Sequence, residues 1–217
     1  MRTLLSRRAW LVCGVTCAVA GIAEFAGVPG VAGGSGAAHA ASPGPRFSRA
    51  DVARVDRLLT HVQSRLERAP KGAALRWMSM TRIEDSEGEE RTLDSVRLRS
   101  RRLGLDAEVA AGFARAQIEA EKSIEAAHHR QWTLDVKSAP PRNIERGPTD
   151  VAYPSSTRQP RTLDDPELRA LRDTLPVLRR GGGRQLLDAR AADVIQIGGN
   201  DLIASQIALK PLYDVAR

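Results

Sequence analysis

Cysteine is nearly missing from this 217-residue sequence: Cys13 and Cys17 are the only two. A disulfide framework and thiolate chemistry are therefore excluded for everything that follows them. Aromatic residues make up only 4%, and a surface that stacks on single-stranded nucleic acid needs interleaved rings, so no nucleic-acid partner is expected. Long apolar runs are also scarce. The best, Leu11 to Ala26, is broken by Glu24 and by glycines, too poor a stretch for a stable membrane anchor. No segment alternates apolar and polar residues as a half-buried strand would, and no internal repeat is present. These absences leave an all-α chain held together by helix packing.

The N-terminus has its own organisation. Arg2, Arg7 and Arg8 give a positive leading end, the Leu11 to Ala26 stretch follows, and Ala38-His39-Ala40 is an A-x-A exit before Ala41. Together these make the three-part secretory pattern, so residues 1–40 are expected to be a removable signal peptide and the protein to act in the periplasm or outside the cell. Ser6-Arg7-Arg8-Ala9-Trp10-Leu11 also matches a twin-arginine address, which leaves the export route open between that pathway and the general one. Residues 41–217 suit one domain with a sizeable core. Losing three arginines and Glu24 lowers the formal charge from +7 to about +5, a basic balance that suits anionic partners.

Five to six helices can be read along this domain. Ser48-Arg49-Ala50-Asp51 is a capping box, and Val52, Val55, Leu59, Val62 and Leu66 follow at three- and four-residue steps. Pro70 is expected to kink or interrupt this helix, with Ala73 to Met80 resuming it. A second helix spans about 87–102. Gly104-Leu105-Asp106 stops it and caps a third, whose apolar face runs from Val109 to Ala127. From about 133 to 163 the apolar period vanishes and prolines recur, which predicts a long exposed loop. Asp165-Pro166-Glu167 is read as the cap of a fourth helix bearing Leu168, Leu171, Leu175 and Leu178, ended by Pro176 and Gly181-Gly182-Gly183. Two further helices are expected at about 185–197 and 201–216, separated by Gly198-Gly199.

Arg65 and Arg76 stand eleven residues apart, about three turns, so a continuous helix would place them on one face. Gln117, Glu121 and Glu125 form a polar row beside the apolar face of the third helix. The bland account of such a row is a solvated boundary or ion pairs. His128-His129 lacks companion ligands and predicts no metal site, and Trp77 and Trp132 read as packing residues.

Several of these segments, in order and without a gap, resemble one family. They are Arg65-Leu66-Glu67, Ala74-Leu75-Arg76-Trp77, Ile83-Glu84-Asp85, Leu103-Gly104-Leu105-Asp106, Gln117 to Glu125, Trp132 and Ser138-Ala139-Pro140-Pro141. Farther on, Pro166-Glu167-Leu168 with Arg172 and Leu175 is similar to a D-L-x-x-x-R-x-x-I segment. The family is the secreted, helical AroQ gamma class of chorismate mutases.

The resemblance implies an isomerase that turns chorismate into prephenate by a one-substrate Claisen rearrangement, without metal, cofactor or covalent intermediate. Such a site must hold a dicarboxylate in a compact, near-attack shape and stabilise negative charge growing on the ether oxygen. By position, Arg65 and Arg172 are implied to bind carboxylates through their planar forks. Arg76 stands where the family has a lysine that reaches a carboxylate and the ether oxygen, and Glu125 where a Gln or Glu donates a hydrogen bond to that oxygen. A carboxyl group donates only when protonated, so this role favours acidic pH. Asp85 and Glu89 match carboxylates near the substrate hydroxyl. A homodimer is compatible with the family pattern.

Two positions depart from that pattern. Gly88 stands where the family has a third substrate-binding arginine, and Glu121 where a small polar residue contacts a carboxylate. A non-catalytic relative that binds chorismate or another small anion is thus the rival reading. Arg97, Arg99, Arg101 and Arg102 suggest a third, a polyanion-binding module, which expected export and the lack of aromatics disfavour.

Overall fold

The computed structural model describes residues 47–141, 161–196 and 201–217. The expected signal peptide and the middle of the expected loop lie outside these residues. Six α-helices and one short 3-10 turn, Val136–Ser138, make up the regular structure of the described residues. They are α1 Arg49–Met78, α2 Ser86–Arg102, α3 Ala107–Leu134, α4 Asp165–Leu178, α5 Gly183–Val194 and α6 Leu202–Val215. None of them is long and apolar enough to cross a membrane.

Helix α1 begins where its sequence says it should. The Ser48 hydroxyl accepts from the Asp51 amide, and the Asp51 carboxylate accepts from the Ser48 amide, so two N–H groups without intrahelical partners are satisfied reciprocally. Contrary to expectation, Pro70 does not interrupt α1, which runs through it for 30 residues. A helical proline removes one hydrogen bond and crowds the turn before it. Here Leu66 and Ala69 are buried before the proline and Ala73 and Trp77 after it, so packing on both sides outweighs the local cost. Pro176 likewise sits within α4, which continues to Leu178. At the α4–α5 corner Gly182 adopts φ +83, a conformation open to glycine at little cost.

The third helix extends past the expected start of the loop, to Leu134, with Asp106 as its N-cap. It packs against α1, α2 and α6, while α1 also meets α4 and α5. Val55, Leu59, Val62 and Leu66 of α1 interlock with Phe113, Ile118 and Ile124 of α3 and with the four expected leucines of α4, all buried. At the far end of the α1–α3 pair, Trp77 and Trp132 meet edge to face with ring centres 5.5 Å apart. His129 Nε2 lies 2.9 Å from the Ala73 carbonyl oxygen. This small cluster ties the C-terminal halves of the two helices together, which holds Arg76 opposite Glu125.

Candidate functional site

The uninterrupted α1 places Arg65, Arg68, Gly72 and Arg76 along one side of a cavity of about 290 Å³, and α3 contributes Glu121 and Glu125 from across it. The eleven-residue interval of the arginines and the four-residue interval of the glutamates thus lead into one space, as helical geometry requires. Gly72 makes room for this arrangement: a Cβ there would stand 3.0 Å from Glu125 Oε1. Gln117, at the near end of the same polar row, turns elsewhere and donates to the Ala208 carbonyl.

The third wall comes from the segment before α4. The N-cap of that helix is Asp164 and not Asp165, because the Asp164 carboxylate accepts from the Glu167 amide while Glu167 accepts from the Asp164 amide, both at 2.8 Å. Leu163 precedes the cap and Leu168 lies one turn in; both are fully buried, the positions of a hydrophobic staple that fixes how the chain enters a helix. Arg161 and Thr162 are thereby directed into the cavity. Asp165 is left to pair with Arg99 at 2.6 Å.

The charges inside are closely interlocked. Arg65 Nη2 lies 2.6 Å from Glu121 and its Nη1 3.4 Å from Glu167. The same two nitrogens donate to the Thr162 and Arg161 carbonyls at 2.9 and 3.0 Å. Glu125 Oε2 accepts from Arg76 Nε at 2.9 Å and from Arg161 Nη2 at 2.6 Å. Burial pushes the Glu121 carboxyl above its ordinary range, against the pull of Arg65 and Arg161 and with the help of nearby Glu125. Beyond Arg161 lies a second cavity of about 360 Å³, bordered by Arg76, Asp85, Glu89 and Arg99. Lys122 pairs with Glu89 at 3.3 Å. Burial works against the charge of Lys122, but hydrogen bonds to Glu84 and Glu119 prevail and it is pushed up to about 12.

Of the residues named from sequence, Arg65, Arg76, Glu121 and Glu125 meet at the first cavity, and Asp85 and Glu89 border the second. The Asp85 carboxylate is engaged as the N-cap of α2, accepting from the Gly88 amide at 3.1 Å. Arg172 is not brought to the site. It pairs with neighbouring Asp173 at 2.8 Å in a surface depression shared with Asp51, Arg54 and Arg180. The reason is helical phase: Leu168, Leu171, Leu175 and Leu178 take the core face of α4, and a residue next to Leu171 points about 100° away. Arg161, Thr162 and Glu167 were not anticipated. Arg161 belongs to the aperiodic stretch, where no spacing rule applies, although the staple residues around the cap could have shown that the chain turns inward there.

The chain matches no protein-family model and no curated protein sequence. Solved structures do resemble it. A chorismate mutase from Burkholderia thailandensis superposes with a TM-score of 0.61 at 22% identity, covering 74% of this chain and 99% of that one. The fold is that of the chorismate mutases. A second chorismate mutase, from Burkholderia phymatum, matches with a TM-score of 0.60 at 19% identity over 75% of this chain and 98% of its own. Likeness at this level of identity establishes the chorismate mutase fold, and the chemistry must be argued from the residues in the cavity.

Proposed function

We propose that the protein is an exported chorismate mutase, an isomerase converting chorismate to prephenate. The observation that carries this reading is the convergence of four arginines, Arg65, Arg68, Arg76 and Arg161, with Glu121 and Glu125 on one cavity in a chorismate mutase fold. A unimolecular rearrangement asks for no nucleophile and no metal. It needs guanidinium groups to hold a dicarboxylate folded on itself and a donor where the ether oxygen gains negative charge.

Arg76 and Glu125 are the pair assigned to that oxygen. Their side chains already touch, so a substrate between them exchanges an internal contact for an external one, and Arg76 supplies charge stabilisation whatever the state of Glu125. Glu125 adds a hydrogen bond in its protonated form. Asp85 and Glu89, at the edge of the adjoining cavity, offer acceptors for the substrate hydroxyl. Export is supported by the arginine-led, apolar and A-x-A-ended first forty residues, and recovery of a processed form beginning at Ala41 from outside the cytoplasm tests it.

A second reading, a binding protein without catalysis, is favoured by one observation: Arg65, Arg76 and Arg161 are each already paired with a glutamate of the chain. The two readings separate on one assay. The purified protein is incubated with chorismate from about pH 4 to about pH 8 while chorismate loss and prephenate formation are followed. Enzyme-dependent prephenate is expected, increasing toward acid as the Glu121 carboxyl, raised by burial, takes up its proton. Folded protein that forms none ends the catalytic reading.

A further inference from the structure

Burying a charge is costly unless partners meet it, and among the described residues Lys122 is the one lysine that the fold buries. It stands on α3 between Glu121 and Glu125 in sequence, yet it lines neither cavity. Its Nζ meets three carboxylates instead: Glu84 at 2.6 Å, Glu119 at 3.1 Å and Glu89 at 3.3 Å. Glu84 belongs to the corner between α1 and α2, Glu119 to the preceding turn of α3, and Glu89 to the first turn of α2. The three do not depend on the lysine equally. Glu84 is 71% exposed and Glu119 48%, so water serves both, and ion pairs of that kind contribute little. Glu89 is only 17% exposed, which makes it the partner for which Lys122 matters most.

Glu89 borders the second cavity, so Lys122 reaches that cavity only through it. The ammonium stands 3.3 Å from Glu89 Oε1 and 3.4 Å from Oε2. A cation nearly equidistant from both oxygens fixes the plane of the carboxylate as well as its place. The other cation beside Glu89 among the described residues is Arg161, whose Nη1 lies 3.4 Å from Oε1. Each carboxylate oxygen accepts about two hydrogen bonds. Oε1 therefore has both cations near it, while Oε2 has Lys122 and keeps capacity for one more donor. The bond to Glu84 steadies the adjoining corner in the same way, since the Ile83 carbonyl next to it accepts from Arg161 at 3.1 Å.

We infer that Lys122 is the positioning residue for recognition of the substrate's ring hydroxyl, holding the Glu89 carboxylate so that Oε2 accepts from that hydroxyl. This rests on the reading that the site takes chorismate. Lys122 touches no substrate itself. Its effect is on selectivity: an analogue with hydrogen in place of the hydroxyl leaves the held acceptor desolvated and unpaired, which disfavours it. Without Lys122 the Glu89 carboxylate is free to turn onto Arg161, and the hydroxyl loses its fixed partner. Charge alone does not meet the need, because the hold depends on one compact ammonium spanning two oxygens.

The test uses the full-length protein with Lys122→Met, Lys122→Arg, Glu89→Ala and the Lys122→Met/Glu89→Ala double variant. Each is assayed on chorismate and on the analogue lacking the ring hydroxyl, and the ratio of the two kcat/KM values is the readout. That ratio does not depend on how much of a variant is folded, so a merely structural role lowers the thermal midpoint and leaves it unmoved. The intrinsic reactivity of the two compounds cancels when ratios are compared between variants. Lys122→Met is expected to lower the preference for chorismate about tenfold, and Lys122→Arg to recover part of it. In the Glu89→Ala background the Lys122→Met change should alter the ratio by less than about twofold, because the two residues act as one unit. A ratio in Lys122→Met within about twofold of wild type overturns the inference while the function stands, and so does a full tenfold effect that persists without Glu89. If wild type binds chorismate without converting it, the catalytic reading falls and the ratio of calorimetric Kd values decides on Lys122. Wild type that neither binds nor converts chorismate overturns both.

Discussion

Glu121 is the residue on which the electrostatics of the site turn, and Glu121→Gln is the sharpest perturbation of it. The carboxylate stands 2.6 Å from Arg65 Nη2 and 3.9 Å from Arg161 Nε, so it competes with an incoming anion for the same cations. A ligand carboxylate about 5 Å away, at an effective dielectric constant of about 20, is repelled by roughly 3 kcal/mol. Part of that is recovered by relaxation and by the loss of the Arg65 pair, leaving an expected gain in chorismate affinity of about 10- to 100-fold at neutral pH. Protonation does the same as the substitution. Because burial raises the Glu121 carboxyl above its ordinary range, wild-type KM should fall as pH drops through that raised value, and the Gln variant should show a flatter profile. Stability carries the matching sign. The folded carboxyl holds its proton to higher pH than the unfolded chain does, so its contribution is complete below the ordinary carboxyl range and is lost as pH rises through the raised value. KM and thermal midpoint measured in parallel from about pH 5 to about pH 8 check both. A Gln variant with unchanged KM at neutral pH, or with a KM profile as steep as wild type, would refute the argument.

Two further outcomes follow from the packing. Arg65→Met strands Glu121, Glu167 and two backbone carbonyls, so urea unfolding should show a loss of about 3–5 kcal/mol, equivalent to roughly 6–20 °C in thermal midpoint for a domain of this size; a change under about 1 kcal/mol would contradict the view that these bonds tie α1 to α3 and to the segment before α4. Asp164→Ala removes one half of the α4 capping box, and the same measurement should lose about 0.5–2 kcal/mol. Chorismate KM should rise in that variant too, because the cap sets the path of Arg161.

Much of this arrangement was legible in the sequence because helices impose a rigid spacing. Ser48 and Asp106 mark helix starts through their own side chains, and Arg65, Arg76, Glu121 and Glu125 were brought together by intervals that a helix converts directly into shared faces. Where the reading went astray, a local rule met a stronger tertiary effect. Pro70 and Pro176 are helix breakers by propensity, yet burial of the residues around them keeps both helices intact. Arg172 sat in a motif-like segment, but the four leucines around it dictate which face of α4 turns inward. Arg161 had no period to betray it. Its place depends on Leu163 being buried and on Arg65 reaching its carbonyl from nearly a hundred positions away, relations that exist only once the chain has folded.

The edge-to-face pair of Trp77 and Trp132 has an optical consequence. The sequence contains three tryptophans, and the remaining one, Trp10, falls in the segment expected to be cleaved. A processed chain would therefore emit from a single spot, two indoles in contact beside His128 and His129 and one residue along the chain from Arg76. Intrinsic fluorescence becomes a built-in gauge of that end of the molecule, sensitive to any ligand that draws Arg76 away from Glu125 and usable without attaching a dye.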